Sequence, residues 1–429
     1  MKIKTNITAL KKYLSLIPSE WKKLQMLFIS SLIEKGQCRI SNIIASKHTD
    51  EYLRYLKQTG TLINYHNDEL IVYKDSFSRT IPPLKIEPYD NLLLPFLLMS
   101  RMLTNSPITL THLNKSQCDK LHLVLDPLTQ IGLKIHTSQN KTSCSFQGPL
   151  QGGVITMNYI SGKYIALILS ILPLTKKNST ITIKQSSDTH YIHSMLNLFQ
   201  YLHINIHAST GYTRFHIKKE QNFPSFDCFL ESDSPLAFIF LCISAAKNSD
   251  VTISNVETGY NEEFQNALSI LKDMGYNIRI ETRTLRNRSI HFFSPSKFHG
   301  NHISIKNISA IYIISIIAVA CHGENKSVLK EISYDTDFYN ALLILQKELP
   351  LLGVKIIINK HEIEIYPVSP SQKMELNGHN NSLVSIALII VALASNHALV
   401  LSNITQDDPI LSALILNLKK LHLIQEIFI

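Results

Sequence analysis

Eighteen histidines and six cysteines are the residues of this 429-residue chain most able to do chemistry, and their spacing argues against most of it. Cys38, Cys118, Cys144, Cys228, Cys242 and Cys321 stand far apart with no CxxC pair, so neither a thiolate metal site nor a disulfide framework is expected. Free thiols of this kind fit a reducing compartment. The histidines form no HxH or HExxH pattern, as a helix-borne zinc site would require. His190 and His193, three apart, read as surface residues on one helix face. No GxxxxGK[ST] or GxGxxG turn is present to array backbone amides around a nucleotide phosphate. The expectation is no metal and no cofactor.

What remains is positive charge: 42 Lys and Arg against 33 Asp and Glu, a net +9. No basic run exceeds KKY or LKK, and neither an RNP-like strand nor zinc-finger spacing occurs, so no nucleic-acid partner is expected. The excess reads as a Lys/Asn/Ile-rich composition, with a modest positive field that favours anionic small molecules. Glycine, 14 of 429, is about half its usual ~7% share. With 45% hydrophobic and 17% charged residues, the chain is ordered and long enough for two domains. Its longest apolar runs, Ile308–Cys321 and Leu383–Ala394, are shorter than the ~20 residues a bilayer requires. The N-terminus lacks the apolar core and cleavage site of a signal peptide, so a cytoplasmic protein with no membrane contact, monomeric for preference, is expected.

The elements that would position any site repeat six times. An apolar helical run ends in a polar turn, and a short β-branched strand follows: LIEKGQCRISNI up to Ile43, MLTNSPITLTHL from Met102, LTKKNSTITIKQ from Leu174, AKNSDVTISNV up to Val256, CHGENKSVLKEI up to Ile332 and LASNHALVLSNI up to Ile404. Turn markers Gly36, Asn105, Asn178, Asn248, Asn325 and Asn396 are 69, 73, 70, 77 and 71 residues apart, the signature of a repeated supersecondary unit. In each unit the helix that precedes the turn (Leu24–Ile33, Leu92–Leu103, Tyr164–Leu172, Leu236–Ala246, Ile308–Ala320, Leu383–Ala394) is apolar nearly all round and belongs in a core. A second, amphipathic helix follows the strand, as in Glu262–Asp273. It stops at Gly60, Gly132, Gly275 or Gly353, the residue type that adopts the left-handed closing conformation, with His203 and His422 in the other two units. A strand pair closes each unit, as around Asn359–His361, although the sixth stops early at EIFI.

The pattern is βαβαββ six times. It predicts an α/β protein of two inside-out α/β domains, each with three units around buried helices. The chain crosses between domains near Pro18 and near Phe226–Phe229, so one domain comprises 1–17 plus 229–429 and the other 18–228.

Six such units in two domains resemble the enolpyruvyl transferases, above all the EPSP synthase family. FLESDSPLAFIFLCISAAKNSDVTISNV is similar to that family's fourth-unit segment. SDTHYIHSMLNLFQYL is similar to the segment whose tyrosine contacts the shikimate phosphate, a role the resemblance implies for Tyr191. The resemblance implies transfer of an enolpyruvyl group from phosphoenolpyruvate to shikimate 3-phosphate in the cleft between the domains. Joining two phosphorylated anions requires converging Arg and Lys groups, plus a carboxylate and a lysine to move protons.

Those motifs are largely replaced. The LPGxKSxSxR turn reads IPSEWKKLQM, with Trp21 at the lysine position and Met26 at the arginine, while Lys22 or Lys23 could substitute after a shift. The glycine-rich turn before the second buried helix reads YDNLLLPF. The next loop reads NKSQCDKL, where Lys115 keeps one charge. Ser-Ser-Gln becomes Ser161-Gly162-Lys163. In the fifth unit Asn307 is retained, but the aspartate position holds Ile311, and Asp337 and Ala341 stand at the lysine and arginine positions of the next motif. The sixth unit's Asn-Asp-His-Arg reads HNNS, and a later lysine becomes Gln406.

The resemblance therefore leaves Lys22, Lys23, Lys115, Ser161, Lys163, Tyr191 and Asn307 as anion-binding candidates, with Lys306 beside them. The competing reading makes the lysines solvated surface groups and leaves Ser161 and Tyr191 to the fold. Cys118 lies in the loop where relatives acting on UDP-N-acetylglucosamine carry a proton-donating cysteine, but the spacing and flanking residues differ. No other residue is a candidate catalyst. Two readings follow: a degenerate family member that has lost transfer and persists as a binding or partner protein, or a divergent working carboxyvinyltransferase whose lysines replace the arginines.

Overall fold

The computed structural model describes every residue except 7–9, 45, 59–60, 67, 75–83, 87–95, 97–98, 100–101, 104, 106, 258–260, 285–286, 295–301, 306–307, 333–335, 368–374, 396–397, 406–407 and 428–429. The chain divides into two compact bodies: a discontinuous one, Met1–Ser19 with Glu231–Ile429, and a central one, Glu20–Leu230.

Six four-stranded sheets repeat one topology. A strand pairs in parallel with the next, and an antiparallel hairpin extends the pair. In the third repeat, Val154–Ser161 runs parallel to Ser179–Ser187, which pairs with Arg214–Ile217 and through it with Ile206–Ala208. Alternate residues of each strand face inward, so Ile155, Met157, Ile181, Ile183 and Phe215 are buried while their neighbours face water.

The buried helices follow the apolar runs closely. Gly162–Ile171, Ala310–Ala320 and Ser382–Ala394 match their expected ranges within a few residues, and all thirteen residues of Ser234–Ala246 are buried. In the discontinuous body, Ser234–Ala246, Ala310–Ala320 and Ser382–Ala394 pack against one another inside one core. Each buried Leu, Ile or Phe there contributes roughly 1.5–3 kcal/mol relative to exposure. Serines survive in these helices because their hydroxyls donate to the preceding turn: Ser170 to Ala166 O, Ser315 to Ile311 O and Ser385 to Asn381 O, each at 2.8 Å. Most of the second repeat's helix, expected over 92–103, lies outside the described residues. Phe96, Met99 and Met102 from it are buried in the central core.

Three sheets borrow strands from distant sequence. Ile3–Thr5 sits between Val400–Ser402 and Ile424–Glu426, so the sixth unit does not stop short: the chain's own N-terminus completes it. Tyr13–Ser15 runs parallel to Val251–Ser254 in the fourth repeat, and Asp227–Phe229 parallel to Gly36–Ser41 in the first. The segment after Tyr13–Ser15 is held by Asn417, whose carboxamide accepts from Ile17 N–H at 2.8 Å and donates to Ile17 O at 3.0 Å. Ser19 donates its N–H and its hydroxyl, both at 2.8 Å, to the Asp233 carboxylate at the start of helix Ser234–Ala246.

Two left-handed positions recur. Helix stops Gly132, Gly275 and Gly353 have positive φ, and so do His203 (φ 56°) and His422 (φ 59°); Gly60 lies outside the described residues. A residue just past the second strand of every repeat is also left-handed: Asn42, Asp188, Asn255, Glu331 and Asn403 directly after it, and His112 one residue further on. From there Asn42 Nδ2 donates to Leu230 O at 2.7 Å, Asn255 Nδ2 to Ser15 Oγ at 3.4 Å and Asn403 Nδ2 to Asn377 Oδ1 at 3.2 Å. Asp188 and Glu331 accept from Ser161 and Ser304. Each bond ties the second strand to the far end of its parallel neighbour, next to where the buried helix begins.

Candidate functional site

In the central body three helix starts hold most of the candidate residues. Helix Glu20–Leu32 carries Trp21, Lys22 and Lys23 in its first turn, Gly162–Ile171 carries Lys163, and Thr189–Tyr201 carries Tyr191. Ser161 and Asp188 are the N-cap residues of the latter two. Unmatched N–H groups at helix starts favour anions, so this is where a phosphate group would be expected to bind.

An aromatic cluster brings these residues together. The Trp21 ring is 1% exposed, with its centroid 4.7 Å from that of Phe96 and 5.6 Å from that of Tyr191. Lys163 Nζ lies 5.8 Å from the Trp21 centroid and 5.3 Å from that of Tyr164, within reach of a cation–π attraction. Burial holds the Tyr164 phenol above its ordinary pKa. The indole Nε1 is buried without a hydrogen-bond partner among the described residues.

The charges beside the cluster are already engaged. Lys22 and Lys23 are 9% and 1% exposed, which corrects their reading as solvated surface groups. Helix Glu20–Leu32 is enclosed from its first turn onward, so its lysines are enclosed with it. Lys23 Nζ lies 2.6 Å from Glu20 Oε1, and the other oxygen of that carboxylate accepts from Ser46 Oγ at 2.5 Å. Ser161 Oγ donates to Asp188 Oδ2 at 3.0 Å.

Other candidates stand apart. Lys115 is exposed at the start of helix Lys115–Leu128. There Asp119 is held below its ordinary pKa chiefly by its hydrogen bond with Lys141 and further by Lys115. Cys118 is fully buried and desolvation pushes its thiol up, so it is not presented to a substrate. Lys306, Asn307 and Gln406 lie outside the described residues. In the discontinuous body Ile311 is half-buried, Ala341 buried and Asp337 exposed.

His190 and His193 are a correction: both are buried, 9% and 8% exposed, on the inward face shared with Ile192, Met195 and Phe199. The His190 ring packs 4.0 Å from that of Tyr191, while His193 bonds Tyr212 Oη at 3.0 Å and Asn197 Nδ2 at 2.9 Å. Glu20, Phe96 and Asp188 lie inside the segments IPSEWKKLQM, YDNLLLPF and SDTHYIHSMLNLFQYL, but nothing in those segments singles them out, because their partners Ser46, Trp21 and Ser161 come from other elements. Among the described residues no three His, Cys, Asp or Glu side chains gather as metal ligands, and no helix is long and apolar enough to cross a membrane.

The family described as EPSP synthase (3-phosphoshikimate 1-carboxyvinyltransferase) matches residues 6–407. This chain belongs to the EPSP synthase family. Among its EPSP synthase relatives is the 3-phosphoshikimate 1-carboxyvinyltransferase of Buchnera aphidicola subsp. Cinara cedri, 23% identical over 385 residues that cover 87% of this chain and 86% of that one. The enzyme of the same name from Nitrosopumilus maritimus is 23% identical over 380 residues, 86% of each chain. A solved EPSP synthase from Acinetobacter baumannii superposes with a TM-score of 0.77 at 13% identity, covering 99% of this chain and 100% of that one. At that identity the likeness is one of fold: two inside-out α/β domains of the EPSP synthase type.

Proposed function

We propose that this EPSP synthase-family protein has lost enolpyruvyl transfer and persists as a non-catalytic, cytoplasmic binding protein. The observation that carries this reading is Trp21. Where the family's first motif has a lysine for its anionic substrates, this chain has an indole, buried against Phe96 and Tyr191 and covered by Lys163. A neutral, enclosed ring supplies no charge to a phosphoryl group.

The nearby charge balance supports the same reading. Lys22, Lys23 and Lys163 bring three positive charges, and Glu20 and Asp188 remove two. A net +1 is little for phosphoenolpyruvate and shikimate 3-phosphate together, since the Arg and Lys clamps on such anions work by converging charge. Ser161, whose hydroxyl is committed to a carboxylate, presents that negative charge beside any incoming phosphate. Function belongs to the site rather than the scaffold. The second reading, a divergent working carboxyvinyltransferase, rests on Lys163 and Tyr191 still standing around one aromatic cluster, with Lys22 next to Trp21 in the chain.

The test is phosphate release by the purified chain supplied with phosphoenolpyruvate and shikimate 3-phosphate, alongside calorimetric titration of each. No turnover above a protein-free blank is expected. Turnover above the blank would overturn the loss of transfer and establish the second reading.

A further inference from the structure

The chain's positive charge is concentrated in one stretch, and the fold sets part of it on one sheet face. Residues 127–226 contain nine Lys and Arg and two Asp and Glu, so this stretch carries +7 of the chain's net +9. The other 329 residues, with 33 basic and 31 acidic, carry +2. A lysine-rich composition would add lysine everywhere; what distinguishes this stretch is that acids are nearly absent. Of its two carboxylates, Asp188 accepts from Ser161, and Glu220 lies 3.2 Å from Lys219 Nζ.

The register of the third repeat's sheet collects the cations on its outer face. Thr182 pairs with Arg214 and Thr180 with His216, and His207 lies directly opposite His216 on the next strand. Lys184 continues the same row. All of these are exposed except Thr180, which is half-buried, and the alternate residues Ile181, Ile183 and Phe215 face the core. At one end, Lys176 and Lys177 meet Lys218 and Lys219, because Asn178 Oδ1 accepts from Lys219 N–H at 3.0 Å and Glu220 N–H donates to Thr175 O at 3.0 Å. At ~3.3 Å per strand residue, the stripe from Lys184 to this end extends on the order of 20 Å.

A glutamine side chain closes one backbone position at or beside each edge of this sheet. Gln130 closes Thr156, accepting from its N–H at 3.1 Å and donating to its carbonyl at 3.2 Å. Gln221 closes Asn205 in the same way, at 2.6 and 3.2 Å. The charge lies on the face, so the face is what an anionic partner would meet.

We propose that this face binds single-stranded nucleic acid: cations track a phosphate backbone while His207 and His216 offer flat rings for bases to stack on. Thr180 and Thr182 lie between the cations, and the exposed Val154 beside Thr180 is a single apolar side chain, too little to insert into a lipid surface. The site is separate from the aromatic cluster around Trp21 and holds whether or not transfer activity is lost.

The test is fluorescence anisotropy of the purified full chain with a fluorescein-labelled single-stranded oligouridylate of twelve nucleotides. Contacts to four to six phosphates predict a log–log salt slope of about −3 to −4, a loss of roughly a hundredfold between 50 and 200 mM salt. The surface variant K184Q/R214Q/K218Q/K219Q should bind at least tenfold more weakly with a shallower slope. H207A/H216A should bind severalfold more weakly with the slope unchanged, because stacking releases no counterions. Thermal melting checks that both variants fold. No binding at 50 mM salt and micromolar protein overturns the proposal, as does full affinity in the quadruple variant. If heparin or phosphatidylserine vesicles bind equally well and H207A/H216A has no effect, the face is a general polyanion surface and the nucleic-acid assignment falls.

Discussion

Lys23 and Glu20 form an ion pair at 2.6 Å one turn apart at the start of the first buried helix, with side chains only 1% and 14% exposed. This lysine's charge is thus paired within its own helix. Taking one partner from a buried pair leaves the other charge unmatched and costs about 3–5 kcal/mol, whereas replacing both is often nearly neutral. Urea denaturation should show E20Q destabilised by about 2–4 kcal/mol, allowing for the partly wet carboxylate, and E20Q/K23M recovering most of that loss. Additive losses in the double variant would show that the two residues do not act as a pair.

Trp21 is the chain's single tryptophan, so intrinsic fluorescence reports directly on the aromatic cluster. Burial against Phe96 and Tyr191 predicts blue-shifted emission with little access to iodide quenching. Adding phosphoenolpyruvate or shikimate 3-phosphate at millimolar concentration should leave the spectrum unchanged. A saturable shift with either compound would place a ligand beside the indole and count against a lost anion site.

His203 and His422 occupy the left-handed stops that glycine fills in other repeats. A side chain bearing Cβ in that conformation costs roughly 1–2 kcal/mol, part of which glycine gives back through unfolded-state entropy. H203G and H422G should each stabilise the chain by about 0.5–1 kcal/mol in urea titrations. Both are exposed there, so little packing is lost.

His322 supplies a pH dependence. Desolvation lowers its pKa from 6.5 to about 4, with a hydrogen bond to the Val391 backbone opposing the shift. The folded state therefore binds fewer protons than the unfolded state between these values. Stability from this group is fully present above pH 6.5 and is lost as pH falls toward 4, by about 2–3 kcal/mol. Denaturation midpoints across that window should fall less steeply for H322Q. Identical slopes in the two proteins would exclude His322 as the source.

Much of the fold was legible because its signals are periodic. Buried helices such as Ser234–Ala246 are apolar on every face, and Gly132, Gly275 and Gly353 mark stops that only a left-handed residue closes. The second left-handed position was written as well, in Ser41-Asn42, Ser254-Asn255 and Ser402-Asn403, but His112, Asp188 and Glu331 disguise it in the other repeats. The three borrowed strands escaped notice because three residues show no period, and their partners in the fourth and sixth sheets lie more than 200 residues away.

By itself the sequence determined six units and their buried helices, since each depends on residue type at a local spacing. Tertiary structure alone decided which charges survive as charges. Lys23 meets Glu20, Ser161 meets Asp188, and His193 turns inward to Tyr212, while Lys184 and Arg214 share one sheet face with four lysines gathered at its end. Electrostatic character depends on distance and burial, and pairings such as Ser161 with Asp188 or His216 with Thr180 exist only once separate strands and helices have packed.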